Sequence, residues 1–170
     1  MILFKKLWIV IGICLIASTL IASPVDKELE STLTFAKSLK KTTKKSTLDS
    51  AQLLLKNLLP QIKVPEKRVD IYIYLSQLAM FQSDYETSYD YINRLGLELE
   101  NLPVDVYKKG AYNYWLRKGT LENKKLLFNT ALLDYQKALK YAETPEDEAL
   151  TKASIAIVYG RLGDSNEAIN

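Results

Sequence analysis

The sequence predicts an all-α protein built from helical hairpins. Three observations carry that reading. Apolar residues recur at helical spacing in seven successive runs, the prolines fall between those runs, and no segment alternates apolar and polar residues with period two. The chain has 170 residues, 48% hydrophobic and 25% charged, enough for one domain with a core and too apolar for disorder.

The first segment, residues 1–23, reads as a signal peptide or signal anchor. Lys5 and Lys6 precede an apolar run from Leu7 to Ala22, and small residues Ala22-Ser23 follow. The run falls between a signal core and a full span of about 20 residues. Leu20 or Ile21 lies where a cleavage site favours a small residue, and Pro24 follows the expected cut, so retention as an anchor stays open. The rest, 24–170, is expected to lie outside the cytoplasm, periplasmic or membrane-anchored. Membrane contact is expected only through this leader or a later span.

Leu29, Leu33, Ala36 and Leu39 predict a first helix over 25–41. Leu48, Ala51, Leu55 and Leu58 predict a second that ends near Pro60, and Tyr72, Leu75, Leu78 and Ala79 a third over 66–81. A fourth follows from Tyr85, Ile92, Leu95 and Leu99, and a fifth, over 104–118, from Tyr112 and Trp115. Leu127, Ala131, Tyr135, Ala138 and Ala142 mark the sixth. Ile155, Val158, Tyr159 and Leu162 mark the seventh, and an eighth has only begun at Asn170. Ser83-Asp84-Tyr85-Glu86 has the form of a capping box, with Ser83 as cap. Thr144-Pro145-Glu146-Asp147 offers a cap, Pro at the first helical position and acids in the first turn.

Small residues recur at one position of each hairpin. Ala51, Ser88, Ala131 and Ala168 are spaced by 37, 43 and 37 residues. Such a period is that of stacked helix pairs, in which small residues let helices approach where they cross. Here the chain resembles the tetratricopeptide repeat family. The last unit matches through Ile155, Ala156, Tyr159, Gly163-Asp164 and Ala168. The third matches through Trp115, Gly119, Ala131, Tyr135, Ala138 and a late Pro145, and departs at Lys118 and Glu122. The unit from Val69 keeps Leu75, Ser83-Asp84-Tyr85 and Ser88, and the first rests on periodicity alone.

The resemblance implies a right-handed α-solenoid with divergent repeats and a concave face built from the first helix of each hairpin. It implies a protein or peptide partner at Asp70, Ile73, Gln77, Asn113, Leu116, Arg117, Ala153, Ile157 and Arg161, of which Arg117 and Arg161 are the first polar groups to test. The Lys/Asn/Arg set with which some members clamp a terminal carboxylate is not reproduced. It further implies the extracytoplasmic sensory segment of a larger signalling protein, or alternatively a stand-alone envelope scaffold. The short last helix leads to the expectation that the chain continues. A homodimer is compatible with all of this, and an unrelated helical bundle is the alternative fold.

The composition points away from several chemistries. There is no His, which removes the commonest general base and metal ligand, and the single Cys, Cys14, lies in the leader. No cofactor or metal is expected. The net charge of +3 includes Lys5 and Lys6, so it gives no argument for nucleic acid. Lys37, Lys40, Lys41, Lys44 and Lys45 read as a solvated helix end rather than an anion surface. Tyr72, Tyr74, Tyr85, Tyr89, Tyr91, Tyr107, Tyr112, Tyr114 and Trp115 read mainly as core, with an aromatic groove as the alternative. Glu98 with Glu100, and Glu146-Asp147-Glu148, have no partner base, so catalysis is not expected.

Overall fold

A computed structural model describes residues 23–163 of the chain, without the side chains of 104–106. The leader and the expected eighth helix lie outside the described residues. Those described form an all-α fold of seven helices with no strand. None of these helices is long and apolar enough to cross a membrane.

Helix α1 spans Pro24–Ser38 and ends three residues earlier than expected. Ser23 caps it by accepting from Asp26 N, with Pro24 at the first position, where its missing N–H costs nothing. Leu39 turns extended behind it, and Lys40 N donates to Thr43 Oγ1 at 3.0 Å to close the turn. Helix α2, Lys45–Leu58, buries Leu48, Ala51, Leu55 and Leu58, the stripe that sequence spacing picked out. A 3-10 turn, Leu59–Gln61, absorbs Pro60. The five lysines of the α1–α2 region are all exposed, and Lys45 pairs with Asp49 at 3.0 Å.

Helix α3, Pro65–Phe81, is the centre of the first core. It packs against α1 and α2, and against α4 (Tyr85–Leu99) and α5 (Val104–Lys124). Four neighbours require apolar residues around most of its circumference, and Val69, Ile71, Tyr72, Ile73, Leu75 and Leu78 are all buried. Helix α4 has the one-sided pattern of an outer helix, with Ser88, Ile92, Leu95 and Leu99 inside.

The expected capping box is not formed at Ser83. Ser83 adopts the left-handed conformation, φ 62°, at the end of α3, and Asp84 N donates back to Ala79 O at 2.9 Å. That hand-over leaves Asp84 as the cap, with its Oδ1 accepting from Thr87 N at 3.1 Å.

Helix α5 runs six residues beyond the expected Lys118. Its last turns bury Leu121, Glu122 and Asn123, so polar residues occupy packed positions and the apolar pattern stops before the helix does. Helix α6, Phe128–Leu139, and helix α7, Pro145–Leu162, complete the chain. Thr144 caps α7 as expected, accepting from Asp147 N at 3.1 Å, and Gly163, φ 79°, ends it in a left-handed turn.

Each helix packs on its neighbour in sequence, and α1–α3, α3–α5 and α5–α7 pack on one another as well. The tight crossings are where small residues were noted. Ser88 Oγ donates to Ser76 O at 2.9 Å, with both residues fully buried. A Cβ added to Gly119 would lie 2.9 Å from the Tyr135 ring and 3.2 Å from Ala131 O. Both pairs are twelve residues apart. The equivalent pair in the first hairpin would start at Leu39, a bulky residue past the end of α1.

Candidate functional site

The first helices of the successive hairpins, α3, α5 and α7, lie side by side, and a cleft of about 370 Å³ runs over them. Its walls include Gln77 and Met80 of α3, Asn113, Leu116 and Arg117 of α5, and Ser154 of α7.

Arg117 sets the chemistry of the cleft. Its Nη2 donates to Gln77 Oε1 at 3.0 Å. Its Nε is shut off from solvent without a hydrogen-bond partner. Among the described residues no carboxylate forms an ion pair with it. Burial pushes the guanidinium down to about 10, against opposing contributions from Tyr74 and Tyr112. The side chain as a whole keeps part of its surface open. At neutral pH it is therefore a cation held in a partly enclosed place, with no carboxylate paired to it among the described residues.

Hydrogen bonds between helices hold this cleft in shape. Tyr112 Oη donates to Asp147 O at 2.9 Å, and the Thr151 hydroxyl lies 3.3 Å from it and 2.8 Å from Asp147 O. These contacts pin the start of α7 to the middle of α5. Lys109 Nζ reaches Asp70 at 3.1 Å between α5 and α3.

The structure brings Gln77, Asn113, Leu116 and Arg117 to this one cleft. Asn113 donates from Nδ2 to Lys109 O at 3.1 Å. Asp70 sits in a smaller hollow beside it, with Glu30, Lys37 and Tyr74. Ile73 is buried, 5% exposed, in the core shared by α1 to α4, so it offers a partner no surface. Arg161 donates from Nη1 to Asn123 Oδ1 at 2.8 Å and so ties α7 to α5. Ile157 is 54% exposed on α7, and Ala153 is exposed on the same helix. The sequence reading missed Met80, Leu150 and Ser154. The last two stand 37 residues after Asn113 and Arg117, the spacing of the small-residue marker, so the period could have found them.

A second, larger cleft of about 750 Å³ opens between α4 and α5. Its floor is Tyr107, Tyr114 and Trp115, with Leu97 of α4 at its edge. Gly96 lets the Tyr114 ring close in, since a Cβ there would lie 3.1 Å from it. Tyr72, Tyr91 and Tyr112, in contrast, are buried. The lysines nearby rest on rings: Lys137 lies 4.1 Å from the Trp115 ring centre and Lys125 4.2 Å from that of Tyr89.

Two of the acidic candidates, Glu98 and Glu148, form ion pairs. Glu98 is paired with Arg68 at 2.7 Å, while Glu100 stands on the wall of the aromatic cleft. Glu146, Asp147 and Glu148 occupy the first turn of α7, where the helix dipole favours acids. Glu148 also pairs with Lys152 at 2.6 Å. Compared with protein-family models and with curated proteins, the chain matches none.

Proposed function

We propose that this chain is a non-catalytic, exported helical-repeat module that binds a protein or peptide on the face made by α3, α5 and α7. The observation that carries the reading is Arg117, a guanidinium with no ion-pair partner among the described residues, on the wall of a cleft of about 370 Å³. Such a group favours an acidic residue or a terminal carboxylate of the partner, because the ligand then supplies the missing negative charge. Gln77 orients the guanidinium, and Leu116 and Met80 give an apolar wall.

The repeat architecture is proposed as a tetratricopeptide-like solenoid. In its favour, alternate helices pack on one another, and small pairs recur twelve residues apart at two crossings. Export is supported by the basic and apolar leader of 1–23.

Selection from a random peptide display library tests the binding reading. Enriched peptides are expected to share an acidic residue at one fixed position and to lose binding at least tenfold with Arg117→Gln, while helical content stays unchanged. Enrichment without an acidic position, or binding indifferent to Arg117→Gln, would overturn it.

A further inference from the structure

Helix α7 carries Leu150, Ala153, Ile157 and Gly160 on one side, at i, i+3, i+7 and i+10. All four are exposed, Leu150 and Ile157 by 54% each, and a Cβ built on Gly160 meets nothing within 4 Å. On α3 and α5 the same helix face is covered. Asp70 and Gln77 of α3 meet Lys109 and Arg117 of α5. Asn123 of α5 meets Arg161 of α7, and Leu116 packs with the cluster that includes Val158. The face that α3 and α5 use to stack on the next helix is thus apolar on α7 and uncovered among the described residues.

Two properties of the stripe select what covers it. Its residues alternate large, small, large, small. An antiparallel copy of α7 places Leu150 opposite Gly160 and Ala153 opposite Ile157 in a single register, so every large side chain meets a small one. A parallel copy in register would set Leu on Leu and Ile on Ile. Charge agrees with the antiparallel choice. The first turn holds Glu146, Asp147 and Glu148, and the last turn holds Arg161, so opposite ends attract when the helices run opposite ways.

We propose that two copies of this chain associate through α7, paired antiparallel about a two-fold axis near residue 155. Such an interface is isologous, the commonest kind in homodimers. The stripe from Leu150 to Gly160 is about 15 Å long. A contact of one helix pair buries less than the roughly 1,200–2,000 Å² of a standard interface, so the dimer is weak and depends on concentration.

The test uses the full chain in detergent micelles with Cys14→Ser, which removes the only native thiol. With Ala153→Cys and Ile157→Cys added, oxidation is expected to give a covalent dimer linked between position 153 of one copy and position 157 of the other. In the chain with its native α7, Ile157→Asp is expected to raise the dissociation constant measured by sedimentation at least tenfold. Leu53→Asp, at an exposed site on α2, is expected to leave it unchanged. Links of 153 to 153 or 157 to 157, or a dimer indifferent to Ile157→Asp, would overturn the proposal. So would a monomer at every concentration: a shielded thiol at 157 would then point to another segment of the same chain, a reactive one to a free face.

Discussion

Gly119 and Gly160 make a matched pair of perturbations, because both lie inside helices and only one is crowded. Replacing Gly by Ala in a helix gains about 1 kcal/mol from propensity alone. At Gly160 nothing opposes the gain, since the new methyl meets no atom within 4 Å. Its place near the end of α7 trims the expected stabilisation to about 0.5–1 kcal/mol. At Gly119 the methyl would lie 2.9 Å from two ring carbons of Tyr135, well inside the optimal carbon separation of about 3.5–4.0 Å. That ring is 1% exposed, and its hydroxyl is 3.3 Å from Thr120 Oγ1, so it has little room to retreat. Overpacking of this kind costs about 1–3 kcal/mol. Gly119→Ala is therefore expected to be neutral or destabilising by up to about 2 kcal/mol once the propensity gain is subtracted. Urea unfolding followed by circular dichroism, at protein concentrations too low for self-association, measures both variants against the parent. Equal stabilisation by the two substitutions would refute the close α5–α6 crossing.

Four further expectations rest on individual residues and on the buried tyrosines. Leu126 has φ 64° and is 68% exposed, so Leu126→Gly should stabilise by about 1 kcal/mol in thermal unfolding, while Asp84→Ala should cost about 1 kcal/mol through the lost cap. Removing the buried hydroxyl with Ser88→Ala should cost about 1 kcal/mol, because Ser76 O then loses that donor, and no loss in chemical denaturation would contradict the contact. Alkaline pH should unfold the protein. Burial raises the Tyr74, Tyr112 and Tyr135 hydroxyls above 10, and a hydrogen bond with Tyr141 raises Tyr107. Groups raised in the folded state give stability that is complete below pH 10 and lost as pH climbs through their folded values. Arg117, lowered to about 10, acts in the opposite sense, but it is one group against four. A pH titration of the melting temperature should fall above pH 10 and fall less steeply in Tyr135→Phe.

The helices were legible because punctuation and burial agree. Thr144-Pro145 begins α7, and the four buried residues of α2 are those that spacing picked out. The end of α5 was not, because Glu122 and Asn123 are polar and still buried, one of them to receive Arg161 from α7. Ser83 and Asp84 are both good cap residues, and only the left-handed turn at Ser83 decides between them. In the candidate site, Gln77, Asn113 and Arg117, which sequence spacing puts on one face, line a single cleft. Ile73 and Arg161 lie on the same side of their helices but face the neighbouring helix. A period gives the side of a helix, whereas the helix-to-helix spacing that separates an open face from a stacking face is a tertiary quantity.

The proposed function turns on whether Arg117 takes up an anionic group of a partner. The direct measurement is the Nε–H resonance of Arg117, assigned by its loss in Arg117→Lys, as a short acidic peptide is titrated into the protein. A saturable shift is expected with a Glu- and Asp-containing peptide and none with its Gln and Asn counterpart. Equal responses to the two peptides, or no response to either at millimolar concentration, would contradict it.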